Sequence, residues 1–68
     1  MDNAKFNVQG MSCQGCVASV TRVLKAVPGV ADVSVTLRPG TASVVYDAGR
    51  TNVDALKAAV QNAGYGVA

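Results

Sequence analysis

The apolar residues of this chain change their spacing in a fixed order, and that order restricts the fold more than any other feature. Lys5-Phe6-Asn7-Val8-Gln9 alternates, which gives a half-buried strand with Phe6 and Val8 inward. From Val17 the spacing lengthens to that of a helix: Val17, Val20, Val23, Leu24 and Val27 share one face, and Ser19, Thr21, Arg22 and Lys25 take the other. Pro28-Gly29 stops that helix. Val30 to Leu37 alternates again, with Val33, Val35 and Leu37 inward and Asp32, Ser34 and Thr36 outward. Arg38-Pro39-Gly40-Thr41 is a turn, and Ala42 to Asp47 is a third strand with Ala42, Val44 and Tyr46 on one face. Two strands joined by so short a turn make an antiparallel hairpin. Thr51 to Asp54 opens a second helix, with Thr51 and Asp54 spaced as a capping pair. Its apolar stripe is Val53, Leu56, Val60 and Ala63, with Lys57 and Gln61 outside. Gly64 is placed to cap the C-terminus, and Tyr65 to Ala68 is a short closing strand.

The element order is β-α-β-β-α-β. Right-handed crossovers put both helices on one face of a four-stranded antiparallel sheet, an α+β sandwich. The 68 residues make one domain, 1–68, with no linker or low-complexity tract. A chain this short buries only about 60% of its unfolded surface. Half of its residues are nevertheless hydrophobic, most of them Val, Ala and Leu, enough for two layers that fold without an ion.

The net charge of +2 is the balance of six scattered basic residues, Lys5, Arg22, Lys25, Arg38, Arg50 and Lys57, against four aspartates. They form no run and have no interleaved aromatics, so nucleic acid is not the expected partner. A weakly basic face suits an acidic protein surface instead. Phe6 to Val8 is too short for the apolar core of a leader, and no stretch nears the roughly 20 apolar residues of a membrane span. The expectation is a cytoplasmic protein, without membrane insertion, whose cysteines stay reduced.

Those cysteines are Cys13 and Cys16, in Gly10-Met11-Ser12-Cys13-Gln14-Gly15-Cys16, directly before the first helix. As incidental core residues they fit poorly, because a glycine-containing loop exposes its side chains. As a redox pair they have the spacing for disulfide exchange, but the chain lacks the length and the parallel βαβ unit of the thioredoxin type. A structural zinc site wants four ligands, and here there are two cysteines and no histidine. A soft ion of low coordination number fits best. Thiolates select Cu(I), which is content with two or three of them, and Hg(II) shares the preference. The helix N-terminus behind Cys16 favours the thiolates, and Gly15 lets the backbone bend between the sulfurs.

The same segment resembles the Gly-Met-x-Cys-x-x-Cys signature of heavy-metal-associated domains. The likeness extends over the whole chain, through Pro28-Gly29-Val30, the Val33 to Leu37 strand and Ala63-Gly64-Tyr65. The family includes cytosolic copper chaperones, N-terminal domains of copper-transporting P-type ATPases and periplasmic mercury-binding proteins, all with the ferredoxin-like βαββαβ fold. The resemblance implies that Cys13 and Cys16 are the metal ligands and that Met11 packs under the loop without binding metal. Tyr65 falls at the family position beside the site, where it shields the ion or bonds near the thiolates, or is a plain sheet-edge aromatic. Ser12 and Gln14 fall at variable, solvent-facing positions. Exporters of zinc and cadmium often carry aspartate where Ser12 stands, which points to Cu(I). Several bacterial chaperones carry histidine inside the Cys-x-x-Cys, where this chain has Gln14-Gly15.

The implied function is a non-enzymic Cu(I) chaperone that exchanges its ion with the metal-binding domain of a copper-transporting P-type ATPase. The alternatives are an excised domain of such an ATPase, or a mercury carrier. A metal-bridged homodimer, held by four cysteines, is a further implied state.

Overall fold

The computed structural model describes residues 1–67. Its elements are β1 (Asp2–Gln9), α1 (Gln14–Lys25), β2 (Val30–Thr36), β3 (Thr41–Tyr46), α2 (Val53–Asn62) and β4 (Gly66–Val67). They form one antiparallel sheet in the order β2-β3-β1-β4. The expected end of the closing strand, Ala68, lies outside the described residues.

Strand alternation decides which side of the sheet is dry. In β1 the buried residues are Ala4, Phe6 and Val8; in β3 they are Ala42, Val44 and Tyr46. Val33 and Val35 of β2 pair with Val44 and Ala42, on the same side. Val20 and Leu24 of α1 and Leu56 and Val60 of α2 pack against that side, and all four are fully buried. The opposite face carries the exposed Asn3, Lys5, Asn7, Asp32, Ser34 and Ser43. This is the α+β arrangement of two helices on one face of the sheet, as the periodicity requires.

The boundaries differ from the pattern where pattern carries no information. β1 begins at Asp2 rather than Lys5, because its backbone goes on pairing with Val45 and Tyr46 through polar residues. α1 begins at Gln14 rather than Val17, since its first turn is turned to solvent and needs no apolar spacing. β2 ends at Thr36 and β3 at Tyr46. Leu37 therefore sits in the turn, still half-buried, and Asp47 leaves the strand to donate its N–H to the Gly29 carbonyl at 2.8 Å.

The caps explain where the helices stop. After α1, Val27-Pro28-Gly29-Val30 is a turn closed by the Val30 N–H on the Val27 carbonyl at 3.2 Å. Gly29 has φ +97°, a conformation that side chains resist, and a Cβ there would lie 2.8 Å from Arg50 Cβ. At the start of α2 the cap is Asn52, not the Thr51–Asp54 pair: Asn52 Oδ1 accepts the Ala55 N–H at 2.8 Å. Ala63 is the last half-helical residue and is exposed, so it leaves the apolar stripe. Gly64, at φ +97°, closes α2 as expected, with its own N–H on Gln61 and the Tyr65 N–H on Val60.

Candidate metal centre

β1 delivers the chain to one end of the sheet, where Gly10 turns it at φ +92°. Continuing the β1–β4 register from Gln9 and Gly66 sets Gly10 opposite Tyr65, and a Cβ on Gly10 would lie 3.9 Å from the Tyr65 ring. Met11 then dips back, half-buried, onto the core beneath the loop. Ser12 and Cys13 are exposed.

Cys13 is the N-cap of α1. Its backbone is extended, at φ −156° and ψ 173°, and its carbonyl accepts the N–H groups of Cys16 at 3.0 Å and Val17 at 3.4 Å. Its side chain makes no cap bond, so the thiol is not consumed by the helix end. Cys16 follows within the first turn. The two sulfurs stand 3.7 Å apart, well beyond the roughly 2.05 Å of a disulfide. Two free thiols are thus held side by side, Cys13 exposed and Cys16 half-exposed, over a helix N-terminus with no acidic residue in its first turn.

Gly15 does not bend the chain, contrary to expectation. It lies inside the first helical turn without positive φ, and a Cβ there would meet only Cys13 Sγ, at an ordinary 3.6 Å. The cap geometry of Cys13, rather than glycine freedom, brings the sulfurs together. Gln14 is exposed, as the sequence implied.

The surroundings favour the charged form of Cys16. Its pKa falls from an ordinary 9.0 to about 6. The largest cause is the Ser12 backbone, followed by the Tyr65 hydroxyl and then the backbone and thiol of Cys13. Ser12 Oγ is also 3.9 Å from Cys16 Sγ. Tyr65 acts on the thiol without completing a hydrogen bond of full geometry, and its own pKa is raised, chiefly by the same contact.

The structure therefore brings Ser12, Cys13, Cys16 and Tyr65 together, with Met11 below. It adds one residue that periodicity had placed on the solvent face. Ser19 is half-buried, and its hydroxyl counteracts the rise at Tyr65. The signal was present in the spacing, since Ser19 follows Cys16 by three residues and so shares its side of α1. Among the described residues no group of three or more His, Cys, Asp or Glu side chains is placed to hold an ion. The donor set on offer is two soft sulfurs, which suits a thiophilic ion of low coordination number and not a closed tetrahedral site.

Residues 5–66 match the family model of the heavy-metal-associated domain. Over 61 residues the chain is 46% identical to copper-transporting ATPase 2 of Rhizobium meliloti, a match covering 90% of this chain and 7% of that protein. It is 37% identical to the copper chaperone CopZ of Staphylococcus aureus over 67 residues, 98% of each chain. Among solved structures, the copper binding domain of the P-type ATPase HMA7 superposes with a TM-score of 0.98 at 32% identity, over 100% of this chain and 92% of that one.

Proposed function

The chain belongs to the heavy-metal-associated domain family, and from that premise we propose that it carries Cu(I) as an exchangeable cargo on Cys13 and Cys16. The observation that carries this reading is the pair of free thiols 3.7 Å apart at the exposed start of α1, with no His, Asp, Glu or further Cys completing a group of three beside them among the described residues. Two thiolates select Cu(I) and satisfy it. They also leave one side of the ion open.

Transfer follows from that opening. An incoming thiol from the metal-binding domain of a copper-transporting P-type ATPase loses its proton and adds to the ion as a third thiolate. One of the original sulfurs then leaves and takes up a proton. Copper stays Cu(I) throughout, so no electron moves, and the protein acts as a carrier and not as an enzyme. The depressed pKa of Cys16 keeps that sulfur ready as a thiolate near neutral pH. The setting is the cytoplasm, and no helix of the described residues is long and apolar enough to cross a membrane. A second copy can supply the incoming sulfurs, which gives the copper-bridged homodimer.

One observation favours a second reading. Identity is higher to a segment of the Rhizobium ATPase than to CopZ, which suits a metal-binding domain of such an ATPase with the same site. The apparent mass of the native protein in cell extracts separates the two. The binding itself is tested by anaerobic Cu(I) titration against a calibrated chelator, with Zn(II) and Hg(II) alongside. One-to-one Cu(I) binding that vanishes in Cys13→Ser/Cys16→Ser, with weak Zn(II), is the expected result. Strong Zn(II) binding or a preference for Hg(II) alone overturns the copper assignment.

A further inference from the structure

The cysteine loop rests on Met11, and the residue beside the end of Met11 comes from the turn before β3, the strand next to β1. A Cβ built on Gly40 would lie 3.4 Å from Met11 Cε and 2.5 Å from the Val8 carbonyl oxygen. A side chain there would collide with the Val8 carbonyl and reach the edge of van der Waals contact with the Met11 methyl, so Gly40 lets the turn close on both. Its carbonyl accepts the Val8 N–H at 2.8 Å, which ties this turn to the last buried residue of β1 before the loop.

The turn that presents Gly40 is itself fixed by side chains. The Thr36 hydroxyl donates to the Pro39 carbonyl at 3.1 Å. With that hydrogen used, Thr41 donates to Thr36 Oγ1 across 2.6 Å. A relay of two hydroxyls therefore clamps the β2–β3 turn immediately before Gly40. Nothing in the cysteine motif points to this segment, more than twenty residues further along the chain.

We infer that the β2–β3 turn positions the cysteine loop: Thr36 and Thr41 hold Gly40 in place, and Gly40 seats Met11, whose height sets the loop carrying Cys13 and Cys16. Thr36, Thr41 and Gly40 are positioning residues, acting through Met11 without touching the thiols. The inference deepens the proposed function and rests on it where metal affinity is concerned. Residues that orient ligands from outside the donor set are worth about 10–100-fold in metal affinity.

The test is a mutant cycle with two readouts, one of them free of metal. Gly40→Ala and Thr36→Val are made in the wild type and in Met11→Ala, and Cu(I) affinity, urea stability and backbone amide spectra are recorded. Gly40→Ala is expected to weaken Cu(I) by about 10–100-fold, and Thr36→Val by less in the same direction. In the Met11→Ala background the loss in affinity from Thr36→Val disappears and that from Gly40→Ala shrinks, since its Cβ meets the Val8 carbonyl in either background, and the stability costs of the contacting pair Gly40 and Met11 do not simply add. In the metal-free protein, Thr36→Val is expected to move the amide signals of residues 11–16 only while Met11 is present. Should Gly40→Ala not fold, Thr36→Val decides, since its side chain is exposed and Val keeps its shape. Amide shifts confined to residues 36–41, or losses in affinity that add to that of Met11→Ala, overturn the inference. Shifts that reach the loop in a protein that binds no Cu(I) would uphold the inference and overturn the proposed function instead.

Discussion

At the scale of single residues, Cys16 sets the behaviour of the site. Its pKa near 6 lies below the 9.0 of an ordinary thiol because the Ser12 backbone, the Tyr65 hydroxyl and Cys13 all favour the thiolate. Alkylation of Cys16 should therefore reach half its limiting rate near pH 6. Tyr65→Phe should move that midpoint upward, as it removes one of the groups that lower it. A midpoint near 9 in the wild type would refute both statements. The same shift makes stability depend on pH. Folding strengthens the acid, so the metal-free protein gains stability as pH rises from about 6 to about 9. The gain is complete above the unfolded value and lost as pH falls through the folded one. The comparison to make is the urea midpoint of wild type against Cys16→Ser. The wild type should gain on the variant between pH of about 5 and about 9, and a constant difference would show that the thiolate is not stabilised by the fold.

At the scale of elements, the helix ends carry predictions that the strands do not. Asn52 caps α2 through its bond to Ala55, so Asn52→Ala should cost about 0.5–2 kcal/mol in denaturant unfolding. Thr51→Ala, one residue earlier, should cost less; the opposite ranking would restore the Thr51–Asp54 pair as the cap. This one-residue slip shows what was legible in the sequence. Each element's existence and inward face could be read from Phe6 and Val8, Val20 and Leu24, Val44 and Tyr46, Leu56 and Val60, because burial forces a period on apolar residues. Ends were not legible where burial stops. Gln14 and Gly15 form a helical turn in solvent, and Asp2 and Asn3 pair through backbone alone, so neither leaves an apolar trace. The thiol pair was legible because Cys-x-x-Cys before a helix is a chemical pattern. Ser19 was legible only in its i, i+3 spacing from Cys16, and the contact of Gly40 was not legible at all, since its neighbour Met11 is supplied only by the folded chain.

At the scale of the whole molecule, the core and the site divide the chain between them. Leu24 and Leu56, both fully buried, lie in the layer between the helices and the sheet, and neither Cys13 nor Cys16 belongs to that core. A protein of 68 residues is stable by about 3–10 kcal/mol, taking 0.05–0.15 kcal/mol per residue. Truncating either leucine to Ala should remove about 2–5 kcal/mol, a large share of that total. Cys13→Ser/Cys16→Ser removes no buried apolar group and should leave the apo circular dichroism spectrum and cooperative melting in place while abolishing Cu(I) binding. The two kinds of variant should thus fail in opposite ways. Leu56→Ala should melt early yet, below its transition, still take up Cu(I) one-to-one; the double serine variant should melt close to the wild type and take up none. If the double serine variant were unfolded without metal, the ion would be part of the fold. The separation of a self-sufficient sandwich from an exposed, exchangeable site would then be wrong. That separation is what a carrier requires, since a domain that unfolded on releasing its ion would lose the very surface on which the next ion must be received.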